Sequence, residues 1–261
     1  MSDTPSRTAL VTGGTSGIGL AVTRALARGG TRVFLCARTA DDVSRTVKEL
    51  GAEGLSADGR VCDVRDPAQV AELVAATTRR FGPLGILVNN AGRSGGGTTA
   101  EISDELWADV IETNLNSVFR MTREALTSGG MLESGWGRII NIASTGGKQG
   151  VIYGAPYSAS KHGVVGLTKA LGLELAKTGI TVNAVCPGYV ETPMAERVRK
   201  GYADFWQTTE DAVLEKFEAK IPLGRYARPE EVAAFVGYLA SDAAAPITAQ
   251  ALNVCGGLGN Y

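Results

Sequence analysis

The sequence predicts a doubly wound α/β fold, a single parallel sheet with helices on both faces, and three observations carry that prediction. Short β-rich runs alternate with longer stretches of helical period along the chain. A glycine-rich turn, Thr12-Gly13-Gly14-Thr15-Ser16-Gly17-Ile18-Gly19, falls between the first such run and the first helical stretch. No linker, repeat or low-complexity segment interrupts the pattern, so residues 1–261 read as one domain.

Strands are expected at 7–12, 31–37, 59–63, 86–88, 138–142 and 181–185, with a last one at 250–254. Between them, 17–29, 40–50, 67–81, 101–128 and 156–178 carry apolar residues at three- and four-residue spacing, as helices covering a sheet must. A final helix at 229–241 opens with Pro229-Glu230-Glu231, a proline-first start with acids in the first turn. The stretch 194–220 breaks the rhythm, being too long for an ordinary connection, and holds Tyr202, Phe205, Trp206 and Phe217. It is expected to form a lid inserted before the final helix; a helical excursion that buries its aromatics against the body is the other reading.

With 26 basic and 27 acidic residues the net charge is -1, so no global field recruits nucleic acid or a membrane, and a charged partner must meet a local patch. The opening residues are polar and no apolar run nears the ~20 residues that span a bilayer, which places the expectation in the cytoplasm. Cys36, Cys62, Cys186 and Cys255 stand singly and His162 is the one histidine, so no metal site is expected and the cysteines read as small buried thiols.

Glycines at 13, 14, 17 and 19 permit a tight turn after the first strand and let backbone N–H groups of Thr15, Ser16 and Ile18 approach a pyrophosphate at a helix N-terminus. Where an NAD site would place Asp or Glu after the second strand, this chain has Cys36-Ala37-Arg38. A guanidinium at Arg38 suits a 2′-phosphate, so NADPH is the expected cofactor. In Tyr157-Ser158-Ala159-Ser160-Lys161 the phenol and the ammonium are four apart and share a helix face. A cation there is expected to lower the phenol's pKa and make Tyr157 a general acid.

Together Thr12–Gly19, Asn89-Asn90-Ala91-Gly92, Asn114, Ser144, Tyr157 with Lys161, and Pro187-Gly188 resemble the short-chain dehydrogenase/reductase family, in order and along nearly the whole chain. The resemblance implies a Rossmann fold in which Asn114 holds a water, Ser144 orients a carbonyl, Tyr157 donates the proton, and Lys161 binds the nicotinamide ribose and tunes Tyr157. It also implies Asp63 and Val64 near the adenine, Asn90, Ala91 and Gly92 along the riboses, and Pro187, Gly188, Val190 and Thr192 around the nicotinamide and phosphates.

Residues 93–97, 143–150 and 253–261 are similar to the ketoreductases of bacterial type II aromatic polyketide synthases, which implies reduction of one ketone of a poly-β-ketone held by an acyl carrier protein. Ser94 departs from the proline that this subgroup often places before the two glycines. Gly95, Gly96, Thr145, Gln149, Val151, Met194 and Tyr202 are the expected substrate lining. Arg38, Arg65 and Arg93 follow successive strands, and are read either as a docking patch for an acidic carrier or as scattered solvated residues. The glycine-rich tail is expected to be a subunit interface in a homotetramer, or else to pack on its own surface. Two rivals remain: a 3-oxoacyl-carrier-protein reductase of fatty acid synthesis with the same catalytic residues, and a non-catalytic NADP-sensing binding protein.

Overall fold

In the computed structural model, which describes residues 7–259 and 261, seven strands run in parallel in one sheet. They are β1 (Thr8–Thr12), β2 (Arg32–Ala37), β3 (Ala57–Val61), β4 (Ile86–Asn89), β5 (Gly137–Ile142), β6 (Ile180–Pro187) and β7 (Ala251–Val254), in the order β3-β2-β1-β4-β5-β6-β7. The polar opening at 1–6 and Asn260 of the tail lie outside the described residues. β1, β4, β5 and β6 are buried at every position, which is why they read as near-continuous apolar runs instead of alternating ones. Strand order reverses between β1 and β4, and such a switch point opens a crevice at the carboxyl edge.

The helices are α1 (Gly17–Arg28), α2 (Ala40–Ala52), α3 (Pro67–Phe81), α4 (Asp104–Ile111), α5 (Ser117–Leu126), α6 (Met131–Ser134), α7 (Ala155–Glu174), α8 (Pro193–Trp206), α9 (Glu210–Glu218) and α10 (Pro229–Leu239). One face of the sheet buries Val22 and Leu26 of α1 with Val232 and Val236 of α10 against Val11, Val88 and Ile140. The other buries Val70 and Leu73 of α3 and Met121 of α5 against Leu10, Leu87 and Ile139. Start signals act as the sequence suggests: Asp66 accepts from the N–H groups of Ala68 and Gln69, with Pro67 following, and α3 stops at Gly82, whose φ is 86°.

Several elements differ from the sequence reading: α7 stops at Glu174, short of the expected 178, and β6 runs on to Pro187, past the expected 185. β3 begins two residues before the expected 59 because its ladder with β2 runs from Val33↔Ala57 to Ala37↔Val61, after which Asp66 N–H closes a turn on the Asp63 carbonyl. The expected single helix at 101–128 starts at Asp104, where Ser103 accepts from Leu106 N–H, and its middle, Glu112–Asn116, widens into a π turn between α4 and α5. The 194–220 stretch forms α8 and α9, with Ala203, Val213, Phe217, Ile221 and Tyr226 buried in a core of their own. Three of its aromatics turn towards one another, Tyr202 meeting Trp206 at 4.8 Å and Phe217 at 5.3 Å between ring centroids, whereas Phe205 stays exposed beside Tyr153.

A buried polar chain crosses one face of the sheet. Asn89 Nδ2 donates to Asn141 Oδ1 at 2.9 Å and to Thr122 Oγ1 at 3.2 Å; Asn141 Nδ2 donates to Thr168 Oγ1 at 2.9 Å. Four elements, β4, β5, α5 and α7, are thus pinned in one register, and each of these buried polar groups has its partner. Replacing Asn141 by Ala should lower unfolding stability by about 2 kcal/mol, because the Asn89 amide loses an acceptor and a cavity opens. Urea midpoints for N141A and for exposed-edge V61A test this: equal, small losses would show that the chain contributes nothing.

Candidate active site

β1 delivers Thr12 to the carboxyl edge, and its hydroxyl accepts from the N–H groups of Asn90 and Ala91, both at 3.0 Å. Asn90 Nδ2 answers by donating to the carbonyls of Thr12 (2.9 Å) and Gly13 (3.1 Å), so the ends of β1 and β4 are locked together. Two of its glycines admit no side chain: Gly13 has φ 65°, and a Cβ on Gly19 would stand 2.1 Å from the Gly13 carbonyl oxygen. Ser16 occupies the N-cap position of α1 in extended conformation but its side chain makes no capping bond, so the first-turn N–H groups of Gly17, Ile18 and Gly19, after Thr15 and Ser16, have no side-chain cap, the helix start that an anion site needs. A Cβ on Gly17 would stand 3.2 Å from Thr192 Cγ2, so the stretch from Pro187 at the end of β6 through Gly188 and Val190 brings Thr192 against the turn.

Arg38 stands exposed just after β2, and its charge, behind the direct hydrogen bonds from Arg65, helps to hold the Asp63 carboxyl below the usual range. Val64 is buried beside Asp63. Gly92 connects this half of the site to the other: a Cβ there would lie 3.3 Å from Asn114 Oδ1 and 3.6 Å from Lys161 Nζ. N–H groups, an exposed guanidinium and a buried ammonium thus follow one another along the sheet edge, an arrangement that fits a phosphorylated dinucleotide.

Asn114 lies buried in the π turn. Its Oδ1 accepts from Arg93 N–H at 2.8 Å, and its Nδ2 donates to the Arg93 carbonyl and to Ser160 Oγ, both at 3.0 Å. Ser160 Oγ donates in turn to the Tyr157 carbonyl at 2.7 Å. Ser144 heads a 3-10 turn, Thr145–Gly147, accepts from Gly146 N–H at 2.9 Å, and hydrogen-bonds the Tyr157 hydroxyl. A Cβ on Gly147 would stand 2.6 Å from the Lys161 carbonyl oxygen, so the turn packs directly on α7.

The electrostatics correct one expectation. Burial pushes the Tyr157 phenol up, opposite to the expected direction, and the Ser144 hydrogen bond opposes that. Lys161 Nζ donates to the Ile142 carbonyl at 2.8 Å and sits 5.9 Å from the centre of the Tyr157 ring. Burial brings Lys161 itself down to about 8. Cys186, at the end of β6, lies beneath both groups with its thiol raised by burial.

Sequence reasoning missed Thr12, Ser160 and Cys186 as parts of this site. Ser160 directly precedes Lys161 and Thr12 opens the glycine turn, so both had a positional signal; Cys186 had none beyond its strand. Three cysteines are buried and Cys255 is half-buried, as small thiols near strands should be.

The expected substrate lining falls into three segments. A Cβ on Gly146 would touch Val151 Cγ2 (2.8 Å), Tyr157 Cε1 (3.2 Å) and Ser144 Oγ (3.3 Å), which brings Val151 and buried Thr145 beside the candidate acid. Gly95 packs on Val110, and Gly96 on the Tyr153 carbonyl that also accepts from Gly97 N–H at 2.8 Å. Met194 lies in the first turn of α8, and Tyr202, two turns on, donates its hydroxyl to the Ile152 carbonyl at 3.2 Å. Gln149 is exposed on the outer rim.

At the opposite rim Arg65 and Arg93 do come together, but through Asp109, which bridges both; Arg65 also pairs with Asp63. An open depression of about 590 Å³ there is lined by Asp63, Asp66, Asp109 and Glu112 with Arg65. The arginines are therefore neither scattered nor an uncompensated positive patch.

A family model described as short chain dehydrogenase matches residues 7–203. Among curated proteins, the chain is 69% identical over 261 residues, all of both chains, to one described as a ketoacyl reductase of the monensin polyketide synthase from Streptomyces virginiae. It is 68% identical over 253 residues, 97% of this chain and 93% of the other, to a granaticin polyketide synthase ketoacyl reductase from Streptomyces violaceoruber. Among solved structures, a tryptophan-substituted variant of actinorhodin polyketide ketoreductase with NADPH superposes with a TM-score of 0.97 at 62% identity, covering 100% of each chain. The chain belongs to the short-chain dehydrogenase family.

Proposed function

We propose that this protein is an NADPH-dependent ketoreductase that reduces one ketone of a poly-β-ketone carried by an acyl carrier protein, in the biosynthesis of an aromatic polyketide. The observation that carries the reading is end-to-end identity of 69% with a polyketide synthase ketoacyl reductase in a chain that keeps Asn114, Ser144, Tyr157 and Lys161 in one connected site. The cofactor supplies the hydride when bound. Thr15 to Gly19 would hold its pyrophosphate, Arg38 its 2′-phosphate, Asp63 and Val64 the adenine, and Asn90 to Gly92 with Lys161 the riboses. Pro187, Gly188, Val190 and Thr192 would close over the nicotinamide end.

As negative charge builds on the ketone oxygen, the hydroxyls of Ser144 and Tyr157 stabilise it, and Tyr157 transfers its proton. Burial keeps that proton on the phenol at neutral pH, the state a reduction requires. Both donors of the Asn114 amide are taken by Arg93 and Ser160, so it positions that junction, and a relay water would be held by the second lone pair of its Oδ1 with backbone groups of the π turn. α8 and α9 act as a lid of which Tyr202 and Met194 face the substrate. Arg38, exposed after β2, would guide an acidic carrier to the rim, whereas Arg65 and Arg93 have their charge answered by Asp63 and Asp109. The protein works in the cytoplasm, beside the carrier that supplies its substrate, and as a homotetramer, for which exposed Trp107, Phe119 and Leu173 give α4, α5 and α7 apolar faces to bury. No helix among the described residues is long and apolar enough to cross a membrane.

Tyr157→Phe should reduce turnover of trans-1-decalone by at least about 10³-fold while leaving NADPH affinity within about threefold, from loss of the acid; turnover above a tenth of the parent's would exclude Tyr157 as the donor. The parent should prefer the bicyclic ketone to acetoacetyl thioester, and the reverse preference would point to fatty acid synthesis. Binding of NADPH with no turnover of any ketone would point to a sensor.

Lys161 carries a folded-state pKa of about 8, below the ordinary lysine value, so its burial penalty is fully present below pH 8 and is relieved as pH rises beyond it. In that window the unfolded chain binds more protons, and the parent should gain about 2 kcal/mol relative to Lys161→Met between pH 7.5 and 9.5. Parallel urea stability curves for the two proteins would contradict this.

Arg38→Glu should raise the KM for NADPH about tenfold or more by repelling the 2′-phosphate, with NADH little affected. If Arg38 also guides the carrier, the KM for a carrier-bound ketone should rise further than that for the free ketone at saturating NADPH; equal effects would remove Arg38 from docking.

A further inference from the structure

The lid helices leave the body after β6 and return before α10, and both ends are stitched. Val190 and Ala227 form a parallel bridge in which Ala227 N–H donates to the Tyr189 carbonyl and Glu191 N–H to the Ala227 carbonyl, both at 2.9 Å. Above this stitch lies a pair that the proposed chemistry does not use. Arg199, buried on α8, donates to both oxygens of Glu191, at 3.0 and 2.7 Å, in the bidentate geometry that fixes angle as well as distance. Its guanidinium also hydrogen-bonds the Tyr226 hydroxyl and lies 5.4 Å from the ring centre. Tyr226 stacks on Tyr189 at 5.2 Å, and Tyr189 on Phe217 of α9 at 4.9 Å.

The position of this clasp gives it a consequence. Glu191 directly precedes Thr192, which packs against Gly17 of the glycine turn. Arg199 lies one turn before Tyr202, whose hydroxyl reaches the Ile152 carbonyl beside Val151. One ion pair therefore connects the segment over the dinucleotide turn to the helix over the ketone pocket, and it fixes the rotation of α8 about its axis. Burying a guanidinium there has a desolvation cost that Glu191 and Tyr226 offset, and a hydrophobic residue would hold α8 without fixing its rotation.

We propose that Arg199, held by Glu191 and Tyr226, is a positioning residue that sets the pose of α8 over the substrate and thereby the enzyme's discrimination in favour of bulky ketones. This rests on the ketoreductase reading above. A compact linear ketoester that reaches Ser144 and Tyr157 without touching Tyr202 or Met194 is indifferent to the clasp; a bicyclic or long ketone is not.

Steady-state kinetics of Arg199→Met, Glu191→Gln and the double variant, with trans-1-decalone and with acetoacetyl thioester, test this. Each single variant should raise the KM for trans-1-decalone about tenfold, with kcat, NADPH affinity and the KM for the thioester within about twofold. The double variant should be no worse than either single one, since both remove one interaction. Arg199→Lys should recover part of the loss, as a single-point contact replaces a bidentate one. Unchanged KM for the bicyclic ketone, or equal losses on both ketones and NADPH, would overturn the proposal.

Hydrogen exchange needs no substrate and separates this idea from the ketoreductase reading. In Arg199→Met the amides of α8 should exchange at least about fivefold faster than in the parent, while those of β4 to β6 stay unchanged. Unaltered exchange in α8 would overturn the clasp even if the parent reduces ketones, whereas a parent inactive on every ketone would overturn the activity and leave the exchange result standing.

Discussion

Asn114 has both ends of its amide committed inside the protein, and the rest of the site depends on where those ends go. Its Oδ1 accepts from the Arg93 N–H, and its Nδ2 donates both to the Arg93 carbonyl and to Ser160, which donates in turn to the Tyr157 carbonyl. Three stretches distant in sequence are thereby fixed to one side chain: the loop after β4, the break between α4 and α5, and the first turns of α7. A regular helix from Asp104 to Leu126 would carry residue 114 past that junction, at about 100° per residue; the π turn at Glu112–Asn116 absorbs the mismatch. The widened turn is the local adjustment by which a helix covering the sheet also supplies a group to its edge.

The pair that this framework holds is tuned by burial more than by mutual attraction. Tyr157 is driven towards its neutral form and Lys161 towards the same, since a dry environment disfavours both a phenolate and an ammonium. A raised phenol holds its proton at neutral pH and is the weaker acid for it, so in the proposed reduction the transfer would be driven by the much greater basicity of the developing alkoxide. Ser144 lowers the cost of that transfer by hydrogen-bonding the phenol, and the Ile142 carbonyl fixes the ammonium without neutralising it. A proximity argument from four-residue spacing correctly placed Lys161 near Tyr157, yet it could not see that the ammonium would be turned to a strand carbonyl.

The legible parts of the molecule are those whose cause is local. The apolar runs of β1, β4, β5 and β6, the glycine turn, Pro67 after Asp66, and the Tyr157–Lys161 face follow from steric rules acting over a few residues, and the structure has them where the sequence put them. β3 was displaced because an edge strand's ends are set by pairing with β2 and not by its own residues. The π turn was invisible because nothing in Glu-Thr-Asn-Leu-Asn demands it; only the distant partners Arg93 and Ser160 do. Arg65 and Arg93 were foreseen at one rim, but Asp109, forty-four residues beyond Arg65, supplies a countercharge that strand counting cannot reveal.

A rigid floor and yielding walls divide the labour of this site. The floor is held by buried bonds whose loss leaves polar groups stranded, as with Asn89, Asn114, Asn141 and Thr168. The walls meet the floor through few bonds at the surface, Gly97 N–H to the Tyr153 carbonyl and the Tyr202 hydroxyl to the Ile152 carbonyl. Exposed bonds of that kind contribute about 1 kcal/mol each, because water replaces them when they open. Tyr153 itself has φ 59°, a conformation that a non-glycine residue leaves readily. In the proposed reaction, opening this mouth would break those surface bonds and leave the buried groups around Ser144 and Tyr157 in place, which suits entry of a long ketone past α8. If α8 and α9 are the proposed lid, a core of their own lets them move as a body, and the Val190–Ala227 bridge with the Glu191–Arg199 pair would then decide how they return.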